Sequence, residues 1–106
     1  MITKNTEESI HYLENMMSEK LTLGSFILAI RQGEELSQVE FAKVLGVSRQ
    51  ILCDIEHGRR IISPKKAAEY AALLGYSKKQ FIRLCLQDLL NREGFSLTVD
   101  IQDSAA

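Results

Sequence analysis

Two short helical patterns joined by a tight turn fill residues 37–60, SQVEFAKVLGVSRQILCDIEHGRR, and they constrain the fold more than any other stretch of the chain. Read as a helix, 38–45 places Val39, Ala42 and Leu45 on one face at spacings of three. Ser37 stands at the N-cap position with Glu40 three residues on, the capping-box pattern. Gly46 supplies the left-handed residue that a sharp helix exit needs. Ser48 caps a second helix over 49–57, closed by Gly58. Leu52 and Ile55, with Val47 just upstream, face back onto the first helix, which leaves Arg49, Gln50, Cys53, Asp54 and His57 on the other side.

That outward set carries chemistry. Arg matches the two major-groove acceptors of guanine, and Gln matches the acceptor and donor of adenine. Two helices joined by a tight turn, the second entering the groove by its N-terminal end, is helix-turn-helix docking. The same residues would equally suit a solvated polar face of an ordinary helical hairpin.

The run resembles the phage repressor and Cro family of helix-turn-helix regulators, also called the XRE family. That family's pattern has a Thr/Ser-Gln start, a Leu-Ala pair, a Gly-hydrophobic-Ser turn and an Ile/Leu…Ile-Glu-x-Gly-Arg/Lys ending. Here these read as Ser37-Gln38, Phe41-Ala42, Gly46-Val47-Ser48, and Leu52 followed by Ile55-Glu56-His57-Gly58-Arg59. The likeness spans about residues 23 to 75. It implies that Arg49 and Gln50 read bases and that Ile51 touches a thymine methyl or a sugar edge. Asp54, one turn on, departs from the family's usual long polar residue. It would accept from cytosine or exclude other bases, unless it pairs internally with Arg49 or Arg59. Ser37, Gln38, Ser48, His57, Arg59 and Arg60 would hold backbone phosphates, which position a protein without reading sequence. The resemblance also implies an Arg31–Glu56 pair with a structural role, since a partly buried carboxylate is costly unless a guanidinium satisfies both oxygens. One Arg31 nitrogen would remain for a phosphate.

Charge is placed unevenly. The whole chain carries a net −1, yet residues 31–83 hold 10 Lys/Arg against 6 Asp/Glu, net +4, and the remainder holds 3 against 8, net −5. A basic middle suits a nucleic-acid face, although an acidic periphery is also what a solvated surface looks like. No apolar run reaches the ~18 residues of a membrane span. The start MITKNTEESIHYLENMM lacks a basic stretch followed by an apolar core, so no export signal is expected. Cys53 and Cys85 fit no CxxC pattern, and they point to reduced thiols in a cytoplasmic location. Cys53 and His57 share a helix face, but a zinc site needs three or four ligands and no other cluster stands near, so no metal is expected.

In chain order, Thr6 caps a helix to about Glu19 with Ile10, Leu13 and Met17 on one stripe. It serves as a packing helix, a dimer contact or a partner site. A helix opening at Thr22 or Leu23 buries Leu23, Phe26, Ile27 and Ile30, with Gly33 weakening its last turn. After Arg59 and Arg60, Ile61 and Ile62 are expected to anchor the loop. Ser63-Pro64 starts a helix that turns Ala67, Tyr70, Ala71 and Leu74 inward, and Ser77 starts another with Phe81, Leu84, Cys85 and Leu89 as its apolar stripe. Beyond Gly94 the pattern changes to a period of two: Phe95, Leu97, Val99 and Ile101 alternate with polar residues, as in a strand. With no second strand in the chain, it is expected to pair with its own copy or with another protein.

The expected architecture is therefore mostly α. A five-helix phage-repressor-like domain over 22–93 carries a recognition helix at about 48–57, with an N-terminal helical extension over 1–21 and a C-terminal β-strand and tail over 94–106. The expected function is a homodimeric, sequence-specific regulator of double-stranded DNA, a repressor on a near-palindromic operator, with no cofactor and no catalysis. An antitoxin-like adaptor, binding a toxin or other protein through its terminal segments, is the alternative. An enzyme is disfavoured, because no Ser/His/Asp set, phosphate loop or metal cluster is present.

Overall fold

Among the described residues, five helices each begin on a side-chain hydroxyl. A computed structural model of the chain describes residues 21–104, so the helix expected between Thr6 and Glu19 lies outside the described residues. The helices are α1 (Leu23–Gly33), α2 (Gln38–Leu45), α3 (Arg49–Glu56), α4 (Pro64–Leu74) and α5 (Lys78–Arg92). Their caps are Thr22, Ser37, Ser48, Ser63 and Ser77, each accepting a hydrogen bond from the backbone N–H three residues on. That bond satisfies one of the amides a helix start leaves unpaired. Thr22 with Ser25, and Ser37 with Glu40, complete reciprocal capping boxes. No described helix is long and apolar enough to cross a membrane.

Packing follows from the buried faces. Phe26, Ile27 and Ile30 of α1, Phe41, Ala42 and Leu45 of α2, Leu52 and Ile55 of α3, Ala67, Tyr70, Ala71 and Leu74 of α4, and Phe81 and Leu84 of α5 form one core. Phe26 sits edge-on to Tyr76 and to Phe81, with centroids 5.4 and 5.8 Å apart, a geometry that aromatic quadrupoles favour. α4 packs along α5, and α1 crosses both α3 and α5. The α1–α3 crossing is unusually close, since a Cβ on Gly24 would lie 2.1 Å from the Ile55 carbonyl oxygen.

Three of the expected buried positions are outside. Val39 is 51% exposed and Phe41 takes its place in the core at 0%. Leu89 is 42% and Ile61 65% exposed, and of the two loop isoleucines only Ile62 packs against the core.

The C-terminal β-strand is not there: the described residues contain five helices and no strand. Residues 95–104 carry no regular secondary structure, and their backbone is held by a side chain instead of a second strand. Gln87 on α5, 3% exposed, donates from Nε2 to the Leu97 carbonyl at 2.7 Å and accepts from the Val99 amide at 2.8 Å. A side-chain amide offers the same donor and acceptor as a peptide group, so Gln87 stands in for one step of a ladder. Val99 and Ile101 are half-buried, whereas Phe95 and Leu97 remain exposed. The period-two pattern marked a segment held by backbone bonds, but those bonds go to a helix.

Candidate nucleic-acid interface

α2 and α3 are joined by three residues. Gly46 takes the left-handed conformation (φ 72°), Val47 returns its amide to the Ala42 carbonyl at 3.0 Å, and Ser48 caps α3. Leu52, Ile55 and Glu56 are the buried residues of α3. The opposite face is therefore turned away from the core, with Arg49 and Gln50 in its first turn and Asp54 one turn later.

A chain of side-chain contacts fixes this face to the domain. Arg31 Nε donates to Glu56 Oε2 at 2.7 Å and Arg31 Nη2 to Glu56 Oε1 at 3.3 Å. Only 1% of the Glu56 side chain is exposed, so the guanidinium fork compensates a charge that would otherwise be buried alone. Arg31 Nη1, which the sequence left for a phosphate, donates to the Leu36 carbonyl at 3.0 Å. Glu56 Oε1 also accepts from Gln38 Nε2 at 2.9 Å, and Gln38 Oε1 accepts from Arg49 Nη1 at 3.1 Å. Because Glu56 only accepts, it sets which end of the Gln38 amide faces Arg49. The first residue of α2 thus holds the first residue of α3.

Asp54 is held internally. Its Oδ1 accepts from Gln50 Nε2 at 3.1 Å and from Arg59 Nε at 3.1 Å. Arg59 also reaches the Cys53 sulfur from Nη2 at 3.4 Å, and the Asp54 bond, then the Cys53 bond, raise the Arg59 pKa. His57 Nδ1 lies 2.8 Å from the Cys53 carbonyl oxygen and 3.6 Å from the Cys53 sulfur. Among the described residues no group of three or more His, Cys, Asp or Glu could hold a metal ion.

The structure separates two residues that the sequence placed together. Arg59 folds back onto α3, whereas Arg60 lines a cleft between the start of α1, the end of α3 and the second half of α5. Ser37 and Ser48 spend their hydroxyls as cap acceptors. The Glu40 carboxyl, bonded by the Ser37 amide and hydroxyl, is held below the usual range. Ile51 is half-buried against the core. Phe95, Leu97, Val99 and Ile101 follow α5, outside the helix-turn-helix itself.

Two supporting residues went unread in the sequence. Gly24 permits the close α1–α3 approach, for which composition gives no signal. Arg92 Nη2 donates to the Gly58 carbonyl at 2.7 Å, tying the end of α5 to the turn after α3. A basic residue in the last turn of a helix was the visible clue, but not its target.

Comparison with known proteins agrees with this geometry. A family model described as helix-turn-helix matches residues 27–81, just over half of the chain. A relative described as the ImmF control region 10 kDa protein of Bacillus phage phi105 is 44% identical over 52 residues, which cover 49% of this chain and 58% of that protein. The match therefore spans less than two thirds of the relative's length. No solved structure matches the chain. The capped helix pair, the Arg31–Glu56 tie and the match over 27–81 lead to one assignment: the chain belongs to the helix-turn-helix family, of the phage repressor and Cro type.

Proposed function

We propose that this protein is a sequence-specific DNA-binding transcriptional regulator, a repressor that occupies a near-palindromic operator as a homodimer. The observation that carries the reading is the pair Arg49 and Gln50, turned outward in the first turn of α3 while Leu52 and Ile55 are buried behind them. With Nη1 on Gln38, Arg49 presents its remaining edge to guanine O6 and N7. With one Nε2 hydrogen on Asp54, Gln50 keeps Oε1 and the second hydrogen for adenine. Asp54 serves here mainly by orienting Gln50 and Arg59, while Ile51 offers a methyl contact. Gln38, Ser48, His57, Arg59 and Arg60 are the proposed phosphate contacts, whereas both donors of Ser37 are taken by Glu40. The cytoplasm is where such a protein works.

Two recognition helices in a dimer would sit about one DNA turn apart, roughly 34 Å. The exposed Phe95 and Leu97, with half-buried Val99 and Ile101, are the proposed contact between copies. The antitoxin-like alternative drew its support from an unpaired strand, and that support goes with the strand. The relative named for a phage control region favours regulation.

The test is salt-dependent binding to the DNA upstream of the protein's own gene, with wild type beside Arg49→Ala/Gln50→Ala. Expected is loss of specific binding with weak non-specific binding kept, at about 1–3 kcal/mol per side chain. Equal, weak, salt-sensitive binding of both proteins to any duplex overturns the reading.

A further inference from the structure

His57, at the C-cap of α3, is held by a contact that decides where its ring proton sits. Its backbone amide donates to the Cys53 carbonyl at 3.0 Å, and its ring Nδ1 lies 2.8 Å from the same oxygen. A carbonyl oxygen only accepts, so Nδ1 carries the hydrogen and donates it. The Cys53 sulfur, 3.6 Å from Nδ1, is the weaker neighbour. In a neutral imidazole one nitrogen donates and the other accepts, which leaves Nε2 as a bare acceptor. The residue is exposed, and among the described residues no hydrogen bond reaches Nε2.

A phosphate oxygen is an acceptor as well. In this tautomer the neutral ring therefore meets a phosphate with one lone pair facing another. Had the proton been on Nε2, the neutral ring could donate to the phosphate without any charge. Protonation changes two things together: Nε2 gains a hydrogen and the ring gains a positive charge, while Nδ1 keeps its bond to the Cys53 carbonyl. We propose that His57 is a protonation-dependent phosphate contact, joining the DNA interface only as the imidazolium, so that DNA affinity rises as pH falls. This inference rests on the DNA-binding reading of the same helix face and adds its regulation.

The neighbouring charges leave that role to the ring. On α3, Asp54 is bonded by Arg59 Nε at 3.1 Å and by Gln50 at 3.1 Å, and Arg49 lies two turns back on the Gln38 amide. In the turn that follows, Arg59 Nη2 rests on the Cys53 sulfur at 3.4 Å, and Arg60 borders the cleft. From α5, Arg92 reaches the adjacent Gly58 carbonyl. Among the described residues no carboxylate pairs with the ring, so the charge gained on protonation is not spent inside the protein. A proton taken up on binding makes affinity fall as pH rises, through the span of about pH 5 to 8 in which histidines change charge.

The experiment measures binding of the full chain to the DNA upstream of its own gene between about pH 8 and about pH 6, at several salt concentrations. Wild type is compared with His57→Asn, which cannot take up a proton. Nitrogen NMR of the imidazole rings in the free protein places the proton with no DNA present, and His57→Asn separates the His57 signals from those of His11. Expected are Nδ1–H with a bare Nε2 in the neutral ring, and wild-type affinity roughly tenfold tighter at the acid end, the lower end of what a charge-assisted hydrogen bond supplies. The plot of log affinity against log salt should also steepen there by about 0.9 for each His57 engaged. His57→Asn should show neither change. A neutral ring that carries its proton on Nε2 overturns the proposal without touching the DNA reading. Nδ1–H with the same pH profile in both proteins also overturns it and leaves specific binding standing. Wild type that binds no duplex specifically at either pH overturns the DNA reading, and the phosphate role of His57 falls with it.

Discussion

Gln38 Oε1 accepts a hydrogen bond from Arg49 Nη1 at 3.1 Å, so the proposed base reader is aimed by a side chain on the preceding helix. The same amide donates to the buried Glu56 at 2.9 Å. Gln38→Ala removes both contacts. Expected is a stability loss of about 1–2 kcal/mol, because a hydrogen bond to a buried charge is lost, together with weaker discrimination at the base pair that Arg49 reads. Urea denaturation and a panel of single-base operator variants measure the two effects separately. Unchanged discrimination would mean that Arg49 aims itself.

Arg31 and Glu56 make a sharper case. Arg31→Met leaves a carboxylate 1% exposed with only Gln38 to satisfy it, at an expected cost of about 3–5 kcal/mol. The double replacement Arg31→Met/Glu56→Met should recover most of that loss, since both charges are then gone. Arg31→Lys should not recover it, because one ammonium cannot serve both Glu56 oxygens and the Leu36 carbonyl from fixed positions. A double-mutant cycle by chemical denaturation checks all three.

Two glycines of α1 should respond in opposite directions. A methyl group on Gly24 would meet the Ile55 carbonyl oxygen at 2.1 Å. Gly24→Ala must therefore push α1 away from α3, at the upper end of the ~1–3 kcal/mol typical of overpacking. Gly33 lies in the last turn of the same helix, with nothing within 4 Å of an added Cβ. Gly33→Ala should stabilise by about 0.4–1 kcal/mol through lower entropy of the unfolded chain. Melting temperatures of the two variants should move apart, and a tolerated Gly24→Ala would show that the crossing relaxes freely.

Much of the scaffold was legible because it is local. Ser37, Ser48, Ser63 and Ser77 announce helix starts through bonds that reach only three residues. The Arg31–Glu56 pair was legible through family resemblance, as no spacing rule joins residues 25 apart. Facial detail was harder. In an eight-residue helix, Val39 and Phe41 compete for the core, and the packing of α2 against α3 and α4, not periodicity, decides that Phe41 wins. The strand expectation failed for a related reason. Alternation reports how a segment exposes its sides but not what its backbone bonds to, and Gln87 reads in sequence like any polar residue of a surface helix. Arg59 and Arg60 are adjacent in sequence, yet Asp54 draws one back while the other borders the cleft.

Gln87 gives the corrected C-terminus a test. Gln87→Ala removes both backbone bonds to the segment and the bond from Nε2 to Asn91. Residues 95–104 should become cleavable by protease at a faster rate, with about 1–2 kcal/mol lost overall. Gln87→Glu keeps the acceptor for the Val99 amide but offers no donor to the Leu97 carbonyl, and should fall between. Equal cleavage rates for all three proteins would mean that the segment is held by Val99 and Ile101 packing alone.

Asp88 sets a pH dependence whose sign runs against most carboxylates. Burial raises its pKa in the folded chain above the ordinary value, with the Leu23 amide and Arg92 only partly offsetting it. The folded state then binds a proton more tightly than the unfolded state, so ν for the unfolded chain is the smaller and stability falls as pH rises. Its stabilising contribution is complete below the unfolded carboxylate pKa and is lost as pH rises through the folded one. Asn cannot ionise and can still accept from the Leu23 amide. Asp88→Asn should accordingly match wild type in acid and exceed it at neutral pH, the gap opening across the window between the two pKa values. Glu40 supplies the opposite slope: its pKa is lowered by bonds from Ser37, so its contribution is present above the unfolded value and lost as pH falls through the folded one. Denaturant unfolding of wild type, Asp88→Asn and Glu40→Gln from acid to neutral pH separates them. An Asp88→Asn curve parallel to wild type would place the Asp88 carboxylate in contact with solvent or with Arg92.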